Sequence, residues 1–180
     1  FFLYQLFNLS VALFSWILRR YFSECNTPWH NQTISLSKEF KFYLMMIPQG
    51  NNIEDIKKRE QIIRDFYREW KEKNPSQRKF NLSLKEYINI RMVSIVETSE
   101  HAAKNYLSTL AVLQLDSILA GAKKVSVKKP KPGNANQKPF ERIMIMEHEL
   151  IGIGKVKMTV GIRRRTREKV QYCITAITNE

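Results

Sequence analysis

Three successive segments after Pro139 carry apolar residues at alternate positions, which is the spacing of a strand with one buried face. They cover residues 140–150, 155–163 and 169–177. Ile151-Gly152-Ile153-Gly154 joins the first two, and an arginine-rich run joins the second to the third. Because short connections favour neighbouring antiparallel strands, this part of the chain predicts a β meander of three strands or more.

The middle segment of this meander divides its residues between two faces. The apolar side comprises Val156, Met158, Val160 and Ile162, and the polar side comprises Lys155, Lys157, Thr159 and Arg163. A sheet with this alternation buries one side and leaves the other in water. We therefore expect one core face and one basic face.

Helical periods dominate the chain before Pro139. Residues 52–73 place apolar side chains on one side of an amphipathic helix, and charges of both signs recur at helical distance on the other. Ser83 and Glu86 have the spacing of a capping box and predict a short second helix.

A helical pattern from Thr98 to Gly121, which is nearly apolar all round near Leu110 to Leu115, predicts the central core helix, with a break near Ser108 and Thr109. The predicted fold is α+β, with N-terminal helices followed by an antiparallel β meander of three strands or more packed on the central helix. The predicted regions are an N-terminal segment at 1–45, an amphipathic helical region at 46–98 and an α+β domain at 99–180.

The first 18 residues are uncharged, fourteen of them are apolar or aromatic, and Arg19 and Arg20 follow directly. One interpretation is a membrane anchor whose cytosolic side is marked by the two arginines. A second is translated upstream sequence, since the first methionine is Met45 and regular patterning begins only beyond Met46. A third is a buried or interfacial helix. We expect a cytoplasmic protein, which is membrane-anchored if residues 1–18 are native.

The charge balance favours a polyanionic partner. Thirty Lys and Arg residues exceed seventeen Asp and Glu residues, which gives a net charge of +13. Residues 123–138 contain six lysines, two prolines and no acid, so they predict an exposed, mobile loop. The candidate nucleic-acid-binding residues are Lys123, Lys124, Lys128, Lys129, Lys131, Lys138, Lys157, Arg163, Arg164 and Arg165.

Metal and cofactor sites are not expected. Cys25 and Cys173 are far apart, which excludes a disulfide framework and a standard zinc site and indicates a reducing setting. The three histidines are scattered along the chain. The sequence also has no phosphate-binding loop with the required spacing and no dinucleotide-binding pattern.

Residues suited to metal-independent RNA cleavage occur on all three predicted strands. They are His148, Arg163, Tyr172 and Thr175. A neutral histidine can accept the proton of a ribose 2′-hydroxyl, an arginine can stabilise charge on the phosphorane, and a hydroxyl can position the phosphate or protonate the leaving oxygen. This hypothesis requires the four side chains to approach one another across the sheet.

The last 80 residues also resemble a known family. The strings are YLSTLAVLQLDSILAGA, then FERIMIMEHEL after the lysine-rich segment, then GKVKMTVGIRR and VQYCITAI. Their order is similar to that in the large polyvalent protein-associated domains of phages and conjugative elements, which are grouped with the barnase, EndoU, colicin and RelE-like nuclease fold. Residues 46–180 as a whole resemble proteins of Bacteroides-type mobile elements. The resemblance implies an RNase-like fold and a role within such an element.

Two functions from different classes follow. The first is a basic mobile-element protein that binds nucleic acid, with RNA favoured over DNA, and that acts as a metal-independent RNase if the candidate residues converge. The second is a non-enzymatic module that docks on a larger element-encoded protein through Ile63, Phe66 and Trp70 of the first helix.

Overall fold

The computed structural model describes residues 47–177, which form an α+β fold as the sequence predicts. The predictions for residues 1–18 lie outside the described residues. Within the described range, no helix is both long and apolar enough to cross a membrane. The helices are α1 (Ile53–Lys73), α2 (Met92–Ala102), α3 (Tyr106–Val112) and α4 (Leu115–Gly121), with a 3₁₀ turn at Ala135–Gln137. The strands are β1 (Arg78–Asn81), β2 (Glu86–Asn89), β3 (Lys123–Lys128), β4 (Phe140–Leu150), β5 (Gly154–Arg163) and β6 (Lys169–Ala176).

The six strands form one sheet in the order β1-β2-β6-β5-β4-β3. The predicted meander is confirmed as β4, β5 and β6, in which β5 pairs antiparallel with both β4 and β6. Gly152 and Gly154 have φ values of 79° and 90°, so the β4–β5 turn uses the left-handed region that glycine enters without strain. At the other side of β6, β2 pairs in parallel through only two residues, Ile88 and Asn89.

The predicted helix at Ser83 is wrong, because residues 78–89 form the β1–β2 hairpin and residues 82–85 form its turn. Asn81 fixes this turn from a fully buried position. Its Oδ1 accepts a hydrogen bond from the Leu84 N–H at 2.8 Å, and its Nδ2 donates to the carbonyls of Leu119 and Ala122 at the end of α4. The capping-box spacing of Ser83 and Glu86 is therefore overridden by a tertiary contact.

The predicted central helix is divided into α2, α3 and α4, with breaks at residues 103–105 and 113–114 instead of Ser108-Thr109. Asn105 accounts for the first break, since its Oδ1 accepts from the Ser108 N–H and starts α3. Because the helix is broken here, α2 and α3 lie along the part of β6 that β2 does not pair with. There the Ser94 hydroxyl donates to the Gln171 carbonyl at 2.5 Å, and the Ser108 hydroxyl accepts from the Ala176 N–H at 2.9 Å. These hydroxyls form hydrogen bonds with backbone groups of β6 that have no neighbouring strand to pair with.

The main core lies between the helices and one side of the sheet, which we call the core face. Val156, Met158 and Val160 are fully buried there, as the alternation predicts, and Ile118 and Leu119 of α4 belong to the same cluster. Tyr67 of α1 and Ile88 of β2 join it as well. The predicted boundary between residues 98 and 99 falls inside α2, and side chains from both sides of it share this core.

Candidate nucleic-acid interface

The side of the sheet opposite the core face, which we call the open face, carries both charges and a small apolar cluster. One row across it runs from Lys123 through Glu147 and Lys157 to Thr175. Lys155 approaches Glu147, with Nζ 3.6 Å from Oε2. The face that the sequence predicts to be basic therefore also carries an acid in this part, because Glu147 lies among the lysines.

His148 lies on the core face, away from the other cleavage candidates. It pairs with the fully buried Val156. Its ring rests on Gly121, where an added Cβ would lie only 2.5 Å from the imidazole Cε1. Its Nε2 is 3.1 Å from the Ser117 hydroxyl. Lys157 and Thr175 pair on the open face, so the sheet itself separates the histidine from them.

Arg163, Tyr172 and Thr175 do not form a group either. Lys157 pairs with Thr175, and Arg163 lies six residues further along β5, which is about 20 Å at the rise of a strand. The four residues chosen for RNA cleavage thus occupy two faces and two ends of the sheet. The convergence that RNA cleavage would require is not found, because the strand register, which the sequence does not reveal, places these residues apart.

Tyr172 belongs to the apolar cluster on the open face. It packs with Phe140, Ile143 and Val170, and its ring meets Phe140 edge-on with 5.8 Å between centroids. Its hydroxyl is buried without a hydrogen-bond partner among the described residues. Burial, and then the neighbouring Glu97 carboxylate, raise the pKa of Tyr172 to about 12. A phenol in this position holds its proton at neutral pH and is out of reach of solvent.

The structure does bring several of the predicted basic residues together. Lys129, Lys131, Lys138 and Arg164 line a shallow depression of about 650 Å³, which we call the basic depression. Arg164 comes from the β5–β6 turn, and its backbone N–H donates to the Pro139 carbonyl at 3.3 Å. Sequence reasoning named these four residues but had no reason to place Arg164 beside the lysines.

Hydrogen bonds hold the lysine-bearing segment in place. Residues 123–128 are strand β3, paired with β4, so the predicted loop begins only at Lys129. Gln137 is buried and accepts from the Lys131 N–H at 2.8 Å. Asn136 donates to Oε1 of the buried Glu97 at 2.5 Å. The lysines of the depression therefore project from an exposed segment that is hydrogen-bonded to α2 through Asn136, and only residues 123–128 of the predicted loop are strand instead.

Two carboxylates near the basic depression are each engaged by two arginines. Glu141 is bonded to Arg167 and lies 4.0 Å from Arg142. Glu168 is bonded to Arg91 at 2.5 Å and lies 3.6 Å from Arg163. We call this region the arginine end; it comprises Arg91, Arg142, Arg163, Arg167, Glu141 and Glu168. Its acids are outnumbered by the arginines that contact them, so this end of the sheet keeps a positive balance.

Sequence reasoning missed Arg91, Arg142 and Arg167 as members of this surface. The arginine-rich run at 163–167 was the available signal for Arg167, whereas Arg91 reaches Glu168 across 77 residues of sequence. The remaining predicted cations are exposed on the strands or in the turn: Lys123, Lys124, Lys128, Lys157 and Arg165. Lysines on β3 also protect an edge strand from pairing with other chains, which is a structural use of the same charges.

No protein-family model, curated protein or solved structure matches this chain. The resemblance to polyvalent-protein domains and to mobile-element proteins stays a prediction. Within residues 47–177, no three His, Cys, Asp or Glu side chains are grouped so that they could hold a metal ion. The argument for function therefore depends on the basic depression and the arginine end.

Proposed function

We propose that this protein binds nucleic acid through the phosphate backbone, with the basic depression as the principal contact. The observation that carries this proposal is the lining of the depression. Four cations converge there, and the single carboxylate of the lining, Glu141, is already bonded to Arg167. Phosphate is the anion that such a surface attracts along an extended polymer, since each neutralised phosphate releases condensed counterions.

The shape of the surface supports contact with a backbone more than recognition of a buried small molecule. The depression is shallow and open to solvent, and its lysines are exposed. Ligand pockets for small molecules enclose most of their ligand, which a depression as open as this one does not do. Because Gln137 closes the segment on Lys131 and Asn136 bonds it to Glu97 of α2, its cations are held near their binding positions before a ligand arrives.

RNA cleavage by His148, Arg163, Tyr172 and Thr175 is not part of this proposal, since the sheet separates His148 from the other three and Arg163 lies far from Thr175. A role in a mobile element and a preference for RNA over DNA are retained as predictions from the sequence. Docking through Ile63, Phe66 and Trp70 would require the main core to open, because Ile63 and Trp70 are buried in it. We therefore place nucleic-acid binding ahead of the interaction-module hypothesis.

The test compares two double substitutions that remove the same charge from different places. Lys131→Ala/Lys138→Ala removes two cations of the basic depression, and Lys57→Ala/Lys58→Ala removes two exposed cations of α1. Fluorescence anisotropy with labelled 20-nucleotide RNA and DNA, at several salt concentrations, gives the affinity and its salt slope for the full chain. For single strands each lost phosphate contact reduces the slope of log K against log salt by about 0.7, so two lost contacts reduce it by about 1.4.

We expect the depression variant to lose affinity and slope by this amount and the α1 variant to match the wild type. Equal losses in the two variants would mean that only the overall charge matters, and the depression would not be the binding site. A wild-type protein that binds neither RNA nor DNA at low salt would overturn the proposed function.

A further inference from the structure

An exposed aromatic pair lies on the β1–β2 hairpin, at the edge of the sheet opposite β3. Phe80 and Tyr87 are direct cross-strand partners, their rings meet edge-on with 5.4 Å between centroids, and they are 41% and 49% exposed. The guanidinium of Arg78 lies over the Tyr87 ring, 4.5 Å from its centroid. Ile88, next to Tyr87, is fully buried in the main core, so the pair faces away from that core.

This arrangement leaves two aromatic rings exposed to solvent at one edge of the sheet. Stability alone does not require two large rings in water, since the hairpin is already held by Ile88 in the core and by Asn81 against α4. Lys79 forms an ion pair with Asp116 of α4 on the core side, 2.8 Å between Nζ and Oδ1. The aromatic side of the hairpin therefore makes none of these core contacts and is accessible to a ligand.

The registers connect this pair to the lysine-bearing edge through one row of the open face. That row contains one residue from each strand in sheet order: Arg78, Asn89, Val170, Gly161, Ile143 and Lys128. Five strand spacings of about 4.8 Å separate its two ends by about 24 Å along the sheet. Phe80 and Tyr87 lie one row beyond Arg78, on the side of the arginine end, and Lys128 leads directly into the basic depression.

The chemistry at the two ends of this row is complementary to a polymer that has both phosphates and unpaired bases. Cations at one edge attract the backbone, and rings with an adjacent guanidinium at the other edge offer surfaces on which bases stack. A duplex hides the faces of its bases, so only a single strand can use both features. The nearby acid Glu86 is bonded to Lys169, and Lys85 is exposed in the hairpin turn, so the charge around the rings favours the same ligand.

We infer that Phe80, Tyr87 and Arg78 form a stacking platform for unpaired bases, which makes single-stranded nucleic acid the ligand of this protein. The inference extends the proposed function and rests on it. The strand would pass from the platform to the basic depression over the Phe140 cluster, because Val170, Gly161 and Ile143 of the connecting row are buried. Its length would fall within the roughly 4 to 16 nucleotides that small single-strand-binding folds cover.

The experiment measures how tightly the full-length chain binds a labelled 12-nucleotide single strand and the matching 12-base-pair duplex. Phe80→Leu/Tyr87→Leu keeps two apolar side chains but removes both rings, and Tyr87→Phe keeps the ring and removes only the hydroxyl. We expect the double leucine variant to bind the single strand about tenfold more weakly, at an unchanged salt slope and with unchanged duplex affinity. We expect Tyr87→Phe to bind within about twofold of the wild type, because the stacking ring remains.

Circular dichroism confirms that each variant is folded before binding is measured. If the double leucine variant does not fold, Tyr87→Trp supplies the test, and an indole emission that the single strand leaves unchanged would then overturn the platform. A Tyr87→Trp variant adds a direct readout, since stacking on a base quenches indole emission relative to the wild-type background. If Lys131→Ala/Lys138→Ala weakens binding but the loss of both rings does not, nucleic-acid binding stands and the platform is wrong. If removing the rings weakens single-strand and duplex binding equally, or abolishes self-association or protein binding instead, single-strand stacking is also wrong.

Discussion

The core face and the open face of the sheet are built from the same strands, yet helices cover the first and leave much of the second exposed. Each buried residue of β5 on the core face meets helices, as Val156 and Met158 do in the main cluster. On the open face the neighbouring Lys157 is exposed, and the apolar cluster there is limited to the surroundings of Phe140 and Tyr172. The strand alternation thus assigns stability to one set of side chains and leaves the other set free to contact a ligand.

The contrast also shows that exposure on the open face is uneven. Beneath Phe140 the packing is as close as in the main core, whereas the rows at Lys157 and at Tyr87 are open. We expect substitutions to divide accordingly, with position on a face being more decisive than residue type. Three comparisons test this division, beginning with the one for which we expect the largest effect.

The largest difference should separate two consecutive residues of β5. Met158→Ala removes a fully buried side chain from the core face and should lower the free energy of unfolding by about 3 kcal/mol. Lys157→Ala, on the open face, should change it by less than about 0.5 kcal/mol. Urea unfolding followed by circular dichroism measures both values. Similar losses of unfolding free energy in the two variants would mean that the core face contributes no more to stability than the open face.

A second comparison uses two glycines, each of which contacts a ring. In Gly161→Ala the new Cβ would lie 2.5 Å from the Phe140 ring, which is 1% exposed and cannot move aside, so we expect a loss of about 2 kcal/mol.

In Gly121→Ala the new Cβ meets the half-buried His148, whose ring can rotate away, and alanine favours the helix by about 1 kcal/mol. We therefore expect almost no change in stability for this variant. Thermal unfolding of both proteins checks the order, and a larger loss for Gly121→Ala would contradict it.

The third comparison, between Tyr172→Phe and the wild type, should show only a small effect at neutral pH. This change removes a buried hydroxyl that has no partner among the described residues, so stability should stay within about 1 kcal/mol of the wild type or rise. The pH dependence is more informative. The folded protein keeps the phenol proton until about pH 12, whereas the unfolded chain releases it near the ordinary pKa of 10. The unfolded state therefore binds fewer protons between these values, and the wild type loses stability as the pH rises through them.

Tyr172→Phe should lose less stability than the wild type over that pH window, as measured by urea unfolding at several alkaline pH values. Part of the loss should persist, because burial also raises the pKa of Cys173 to about 12 and that of Tyr67. Identical alkaline profiles for the two proteins would show that Tyr172 titrates normally and is not enclosed by the Phe140 cluster.

The sequence allowed prediction of the parts of the fold whose residues repeat with a clear period. Alternation over 140–177 located β4, β5 and β6 almost to the residue, and the amphipathic pattern located α1. β3 escaped because all six of its residues are exposed, so it has no apolar period. The β1–β2 hairpin was not predicted because Ser83 and Glu86 have the spacing of a helix cap. The contacts that determine the hairpin, from Asn81 to α4, are distant in sequence.

The candidate site was harder to predict than the fold. Composition correctly marked the lysine-rich segment as basic, but its link to Arg164 and the pairing of Arg91 with Glu168 depend on which strands are neighbours. The assignment of His148, Tyr172 and Thr175 to one centre failed for the same reason. A shift in register between Thr159 and Val160 also changes which β6 side chains share a face, and no residue pattern announces it.

The position of β6 has a consequence for how the protein folds during synthesis. This strand lies between β2 and β5, and it is also where α2 and α3 dock, although it is made after all of these elements. At about 5 to 20 residues per second, the hairpin and the helices leave the ribosome several seconds before their shared neighbour does. The apolar sides of the hairpin and the helices stay exposed until residues 169–176 are made. Insertion of that single strand then joins the two halves of the sheet, so folding is completed in one late, cooperative step and not element by element as the chain emerges.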